Sequence, residues 1–140
     1  MSRKVLFIAF VVLLALVCAV SCKLDFSRRT LVGTWSGGFS YSVVTEEYTL
    51  TVNDDRHFIL KEVVTMFGSQ DPDPVIIIGT YEFKSDTEGT LTADDEADVI
   101  YTLGGSEKTK TIPFTLAGDK ITITDPEEGL SVVLTKKTDK

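Results

Sequence analysis

Cys18 and Cys22 are the two residues of this chain whose type and spacing suggest specific chemistry. They are the only cysteines among 140 residues, and they lie close together at the end of an apolar run. A structural zinc site needs about four ligands, and the single histidine, His57, lies far away in the sequence. A secreted domain held by disulfides carries cysteines throughout its body. Metal, redox and disulfide chemistry therefore explain the pair less well than acylation of one cysteine.

The segment before these cysteines has the layout of a secretory signal peptide. Arg3 and Lys4 form a basic start, the run from Val5 to Val20 carries no charge, and small residues precede Cys22. A stable membrane span needs roughly 20 apolar residues, and this shorter run is followed at once by charged residues. The sequence therefore predicts a cleaved signal peptide over residues 1–21, with a retained membrane anchor as the alternative.

Ala19-Val20-Ser21-Cys22 resembles the lipobox of bacterial lipoproteins, in which a small residue precedes the cysteine that becomes the new N-terminus. Cys18 fits this pattern less well, because the bulky Val17 would precede the cut. The resemblance implies that Cys22 carries two or three acyl chains, and each buried CH₂ group contributes about 0.8 kcal/mol to membrane binding. Lys23 rather than aspartate at the next position resembles lipoproteins exported to the outer membrane. We therefore expect an N-terminal lipid anchor that attaches the protein to the membrane of the cell envelope, with the outer membrane as the expected location.

Acidic residues dominate the charge of this protein. The chain has 21 acidic and 14 basic residues and a formal net charge of −7, and removal of Arg3 and Lys4 with the signal peptide makes the remainder more acidic. A domain this acidic, without a basic stripe, repels phosphate backbones, so nucleic-acid binding is not expected. The remaining length suits one domain rather than two. We predict a tether over residues 22–30 and a single domain over residues 31–137.

Apolar and polar residues alternate with a period of two throughout this domain. Tyr48, Leu50 and Val52, for example, share one face of a segment whose other face carries threonines, which is typical of a half-buried strand. Turn residues separate such segments. The pattern predicts strands over 33–43, 46–53, 57–67, 75–84, 89–94, 98–103, 109–117, 119–125 and 129–136. Nearly every link is short, and closure removes exposed edges, so the expected fold is all-β: a single antiparallel up-and-down barrel of about eight strands rather than a sandwich.

The order of several motifs resembles the small lipocalin-like barrels of bacterial lipoproteins. Gly33-Thr34-Trp35 opens the first strand as the Gly-x-Trp motif opens lipocalins, and Gly79-Thr80-Tyr81 begins the later half of a long strand. Lipocalins proper add a C-terminal helix and a late arginine that covers the tryptophan, whereas this chain ends with Lys136 and Lys137. The resemblance implies a barrel able to hold a small apolar ligand.

Aromatic side chains are the candidates for contacts with such a ligand. Alternation places on the predicted inner face Trp35, Phe39, Tyr41, Tyr48, Phe58, Tyr81, Phe83, Tyr101 and Phe114. An eight-stranded barrel is just wide enough to fill with side chains or to hold one small ligand, so these residues serve either as core or as pocket. The residues predicted to bind the ligand are Trp35, Tyr41, Phe58, Tyr81, Phe83, Tyr101 and Phe114. No cofactor is expected.

Other residues capable of chemistry form no recognisable set. His57 follows Asp54 and Asp55 but has no identifiable serine partner, so a surface position at a hairpin mouth is the favoured interpretation. The acidic runs at 71–73 and 94–98 lack the spacing of a calcium loop, and no metal site is expected. The pair Gly37-Gly38 is interpreted as a bend or bulge of the barrel. Without a nucleophile, base and orienting group, no enzymatic activity is expected.

Isoleucines at 76 and 78 point to a second class of function. Alternation directs Ile77 inward and Ile76 and Ile78 outward, where they form a contact surface for a partner or the membrane, or lie beneath a loop over residues 67–74. Two functions therefore remain: a lipid-anchored protein that holds a small apolar molecule in its barrel, and a filled barrel that acts through its outer surface.

Overall fold

The computed structural model describes residues 3–94, 111–125 and 129–138. Within these residues one helix, α1 (Arg3–Leu31), precedes nine strands. The strands are β1 (Gly33–Tyr41), β2 (Val44–Val52), β3 (His57–Met66), β4 (Ser69–Gln70), β5 (Val75–Phe83), β6 (Glu88–Ala93), β7 (Thr111–Ala117), β8 (Lys120–Thr124) and β9 (Ser131–Lys136). Eight of them confirm predicted strands, and β4 lies in the segment that was expected to be a loop. The predicted strand over 98–103 lies outside the described residues.

The eight longer strands form a closed antiparallel ring. Each pairs with its neighbour in the chain, β5 follows β3 across the short β4, and β9 returns to pair with β1. Strands β2 and β3 pair over nine residue pairs, from Val44↔Met66 to Val52↔Phe58, so no open edge remains between them. This arrangement confirms the predicted all-β, up-and-down barrel. Closure satisfies backbone hydrogen bonds that an open sheet would expose at its two edges.

The core consists of side chains from alternate positions of the strands. Tyr48, Leu50 and Val52 are all buried, as the alternation predicts, and Trp35 and Leu134 are completely so. In β5, Ile77 is buried while Ile76 and Ile78 are about half exposed, which confirms the predicted directions. These inward residues belong to one continuous apolar cluster. Burial of a large apolar side chain contributes about 1.5–3 kcal/mol, so this cluster is the main stabilising feature of the barrel.

Glycines allow the aromatic rings of the core to approach the backbone. A Cβ atom at Gly79 would lie 2.0 Å from the Thr92 carbonyl oxygen and 2.8 Å from the Phe58 ring, and Gly89 bears a similar relation to the Phe114 ring. The pairing of β1 with β2 continues without interruption through Gly37↔Tyr48 and Gly38↔Glu47. Gly37 closely approaches the Val133 carbonyl of β9 and Gly38 the Glu46 carbonyl of β2, and the pairing of these glycines with β2 contains no bulge.

The last turns of α1 close one end of the barrel. Leu31 is fully buried and Ser27 nearly so, and the Ser27 hydroxyl donates to the Asp86 carbonyl at 2.5 Å. Arg28 donates to the Asp54 carbonyl at 2.7 Å. The segment predicted as a tether is thus helical at the backbone, and its C-terminal turn packs against the domain. We call this end of the barrel the proximal end, and the opposite end, where Tyr41 and Met66 end their strands, the distal end.

Candidate functional site

Five of the predicted inward aromatic residues lie in the core. Trp35, Tyr48, Phe58, Tyr81 and Phe114 are each at most 3% exposed. Phe83 is partly buried and packs edge-on against both neighbouring rings, with centroids 6.3 Å from Tyr81 and 5.5 Å from Phe114. These rings contact one another and the surrounding strands, so their interior position is confirmed, whereas their role toward a ligand stays a prediction. Tyr101 lies outside the described residues.

Tyr41 and Phe39 occupy different surroundings from the other aromatic residues. Both lie on the same side of β1 as Trp35, but β1 pairs with β9 only at Trp35 and Ser36 and then continues toward the distal end. Tyr41 is 76% exposed, and Phe39 is 37% exposed and stacks on Tyr48. The prediction of an interior position is wrong for Tyr41, because alternation gives the face of a residue but not its height along the barrel.

Trp35 lies at the proximal end beneath a cation. Its indole N–H donates to the Leu31 carbonyl at 2.8 Å, and the Lys136 ammonium lies 5.4 Å from the ring centroid. Lys136 also donates to the Thr30 carbonyl at 2.5 Å. A cation over an indole face stabilises by roughly 0.5–2 kcal/mol. Lys136 therefore covers the face of the tryptophan ring.

A pair of carboxyl groups and a phenol form a polar cluster in the distal half of the barrel, in which Tyr48 and Glu62 are buried and Glu46 is half-buried. The Tyr48 hydroxyl lies 2.8 Å from Glu46 Oε2 and 3.3 Å from Glu62 Oε1. Glu62 is only 6% exposed, because it follows Phe58 and Leu60 on the inward side of β3. Burial, followed by the nearby Glu46 carboxylate, raises the pKa of Glu62 to about 7, and burial also raises the pKa of Tyr48. The sequence analysis did not identify this cluster. Glu62 nevertheless lies four residues after Phe58 in the same strand, so alternation places both side chains on the inner face.

The raised pKa of Glu62 predicts a decline of stability with pH. The folded state holds the proton of Glu62 more tightly than the unfolded state does, whose pKa is near 4.5. The stabilisation is therefore complete below about pH 4.5 and is lost as the pH rises through about 7, by on the order of 3 kcal/mol. Urea denaturation of the full chain in detergent between pH 4.5 and 8 should show this decline in the wild type and not in Glu62→Gln.

Glu47→Gln is the matched control for that experiment. Glu47 lies on the exposed side of β2, next to the cluster in sequence but not part of it. Its substitution removes one carboxylate of β2 and leaves the cluster intact, so the decline attributed to Glu62 should persist. A profile of Glu62→Gln that follows the wild type at every pH would show that Glu62 is ionised in the folded state.

His57 and the acidic residues at 55, 71 and 73 make local contacts at the surface. His57 is exposed at the first residue of β3, with Nδ1 3.3 Å from Asp55 Oδ1, which confirms the predicted surface position. The His57 backbone N–H donates to the same carboxyl and lowers the pKa of Asp55. The Asp73 backbone N–H donates to the Asp71 side chain at 3.0 Å. Over the described ranges, no three His, Cys, Asp or Glu side chains converge as metal ligands.

Among the described residues of the barrel, two clusters of exposed apolar side chains lie on the outer surface. The first, the isoleucine patch, consists of Ile59, Ile76 and Ile78, which are 39–49% exposed. Ile59 and Ile78 are directly opposite each other in the pairing of β3 with β5. The sequence predicted Ile76 and Ile78 for this surface, and Ile59 joins them because of the strand register.

The second cluster, the hairpin tip, lies at the distal end and consists of Tyr41, Val43, Met66 and Phe67. Their exposed fractions are 76, 45, 50 and 78%. The β1–β2 and β3–β4 turns are adjacent, because Val44 pairs with Met66 and the Phe67 N–H donates to the Val43 carbonyl at 2.9 Å. Of these four residues, sequence reasoning singled out only Tyr41, and for the interior.

Phe67 is strained in this position. Phe67 and Gly68 are the two loop residues of the β3–β4 hairpin, with φ of 51° and 78°. Two positive φ values characterise a type I′ turn, for which Asn-Gly is the preferred sequence. A bulky residue is unusual in the left-handed region and costs roughly 1–2 kcal/mol there. The sequence predicted Phe67 as the last residue of a strand, whereas β3 ends at Met66; the large apolar residue directly before Gly68 was the signal for this turn.

Phe67→Asn is expected to stabilise the fold. Asparagine tolerates the left-handed conformation and completes an Asn-Gly turn, so the free energy of unfolding should rise by about 0.5–1 kcal/mol. Chemical denaturation of the full chain in detergent measures this change. Phe67→Ala is the comparison, since it removes the ring but keeps the strain, and should give no comparable gain. A loss of stability in Phe67→Asn would mean that the ring contributes to packing.

Shallow depressions formed by the described residues lie outside the core. A groove of about 610 Å³ follows β1 and β2 and is lined by Ser36–Ser40, Thr45–Thr49 and Lys137. A crevice of about 330 Å³ at the proximal end lies among residues that include Phe26, Thr87 and Leu116. Both are open to solvent; polar and apolar surface line the groove about equally, and mainly apolar surface lines the crevice.

Cys22, the predicted lipidation site, lies within α1. Cys18 is an exposed free thiol four residues earlier in the same helix. In the part of the chain that the structure describes, no helix has an apolar stretch long enough to cross a membrane. Lipidation of Cys22 stays a prediction.

Comparisons with known proteins add no relative to this description. A scan against protein-family models, a search of curated proteins and a search of solved structures each returned no match.

Proposed function

We propose that this protein is a lipid-anchored, non-catalytic β-barrel of the cell envelope that acts by binding a protein partner through its outer surface. The packing of the described interior supports this function over the storage of a small apolar ligand. The Phe58 ring packs directly against the backbone of Gly79, so no ligand fits between them.

The distribution of apolar side chains also supports a surface role. The core residues of the described strands are at most 6% exposed, whereas the isoleucine patch and the hairpin tip present large apolar side chains to solvent. Contiguous exposed apolar surface is typical of interaction sites. The distal interior instead carries the Glu46–Tyr48–Glu62 cluster, which suits a fatty ligand poorly.

A test of anchoring compares the two cysteines. Radiolabelled palmitate should label the wild-type chain and Cys18→Ser, but not Cys22→Ser. Labelling that persists in Cys22→Ser, or an unlabelled wild type, would contradict the anchor. The two variants differ only in which thiol remains.

A test of the surface role combines ligand detection with crosslinking. Native mass spectrometry of the chain purified from cells should give the mass of the lipidated protein alone, and a fluorescent fatty acid should not bind. Photo-crosslinking from position 78 in intact cells should give a discrete protein adduct, which weakens in Ile59→Ser/Ile76→Ser. A stoichiometric co-purified apolar molecule would favour the ligand-binding barrel instead.

A further inference from the structure

The hairpin tip carries a feature that the fold does not need. Phe67 adopts a left-handed conformation and is 78% exposed, so the chain bears backbone strain without burying the ring. Residues in sparsely populated backbone conformations cluster at functional sites, where the strain is part of the mechanism. Tyr41, Val43 and Met66 extend the same surface, which gives two adjacent turns with apolar ends.

The surroundings of the hairpin tip are acidic. Neither residues 37–49 nor residues 62–75, which build the two hairpins and the following loop, include a lysine or arginine. Glu47, Asp71 and Asp73 are exposed around the tip. The Asp71 N–H donates to the Val64 carbonyl at 2.8 Å, which fixes this acidic loop alongside β3.

This charge distribution selects among the surfaces that an apolar tip could contact. An anionic membrane surface repels exposed carboxylates. A second copy of the chain would place two acidic rims against each other, which is unfavourable at close range. A protein pocket with an apolar floor and a basic rim would match both the aromatic ends and the surrounding carboxylates.

We propose that the hairpin tip is a docking site that inserts Phe67 and Tyr41 into an apolar pocket, ringed by lysine or arginine, on another envelope protein. This inference rests on the proposed function and names the surface and the chemistry of the partner. Aromatic residues inserted into a pocket commonly dominate binding, and the acidic rim steers the encounter and fixes its orientation.

Photo-crosslinking of the full chain in cells of the source organism tests this docking site. p-Benzoylphenylalanine replaces Phe67 in one strain and Val133 in another, since Val133 is an exposed apolar residue of β9 with no place in the tip. Position 67 should give a discrete protein adduct, and position 133 should give none of that mass. The charge reversal Glu47→Lys/Asp71→Lys/Asp73→Lys should reduce the position-67 adduct at least tenfold.

The site of attachment on the partner decides the proposal. Mass spectrometry of the adduct should place it on an apolar residue with lysine or arginine close by in the partner's sequence. An adduct to lipid, to a second copy of this chain or to an acidic segment would overturn the proposal, as would the absence of an adduct or its persistence after charge reversal.

Two further measurements keep the result interpretable. Phe67→Asn is expected to fold at least as stably as the wild type. If this variant does not compete for the partner and so does not reduce the position-67 adduct, the cause is the lost ring rather than unfolding. Adducts at position 78 but none at position 67 would overturn only the docking site. No adduct at either position would count against the proposed function itself.

Discussion

Gly79→Ala is expected to lower the free energy of unfolding by about 3 kcal/mol. The new Cβ would lie 2.0 Å from the Thr92 carbonyl oxygen and 2.8 Å from the Phe58 ring, so both β6 and a core ring must shift. Overpacking of a filled core typically costs 1–3 kcal/mol, and about the upper value applies when backbone obstructs the new atom. Urea denaturation of the full chain in detergent measures the effect.

Gly118→Ala is the matched control for this substitution. Gly118 lies in the β7–β8 turn with φ of 63° and open space around it. Alanine there meets only the left-handed strain of about 1 kcal/mol. Equal losses at the two positions would indicate that the core accommodates the new Cβ atom at Gly79 with little strain. The difference between them therefore measures how tightly the barrel interior is filled.

Trp35→Ala is expected to be the most damaging single truncation, with a loss of about 4 kcal/mol. Trp35 is fully buried, donates to the Leu31 carbonyl and lies beneath Lys136, so truncation removes core volume and two polar contacts. The loss also removes one of the contacts that hold the end of α1 against the barrel. Denaturation followed by far-ultraviolet circular dichroism measures both changes, because strand and helix signals differ.

Two smaller changes separate the contributions at Trp35. Trp35→Phe retains most of the buried surface and removes the indole N–H, and should cost about 1–2 kcal/mol. Lys136→Met removes only the cation and its hydrogen bond to Thr30, and should cost about 1 kcal/mol. If Trp35→Ala costs less than Lys136→Met, then Trp35 does not anchor the proximal end.

The prediction for Gly79→Ala bears on function because a filled barrel and a ligand-binding barrel respond differently to added volume in the interior. In a filled barrel, added volume at Gly79 strains the core, whereas in a barrel with a cavity the neighbouring ring could move into free space. A small loss in Gly79→Ala would therefore reopen the apolar-ligand function, and a large one supports the action of the outer surface.

The alternation of residues determined which segments are strands and which side chains point inward. Tyr48, Leu50 and Val52 lie inside because consecutive side chains of a strand point to opposite faces. The outward positions of Ile76 and Ile78 follow from the same rule. Short turns between strands then made a closed antiparallel barrel the simplest arrangement, because closure leaves no edge unpaired.

Tertiary structure alone decided how far each residue lies along the barrel and which residues meet across it. Tyr41 shares a face with Trp35, yet it lies in solvent because β1 continues past its last partner in β9. Glu46, Glu62 and Tyr48 meet through the register of β2 and β3, and Lys136 reaches Trp35 from the far end of the sequence. Periodicity along one strand carries no information about register between strands, which depends on the packing of the whole ring.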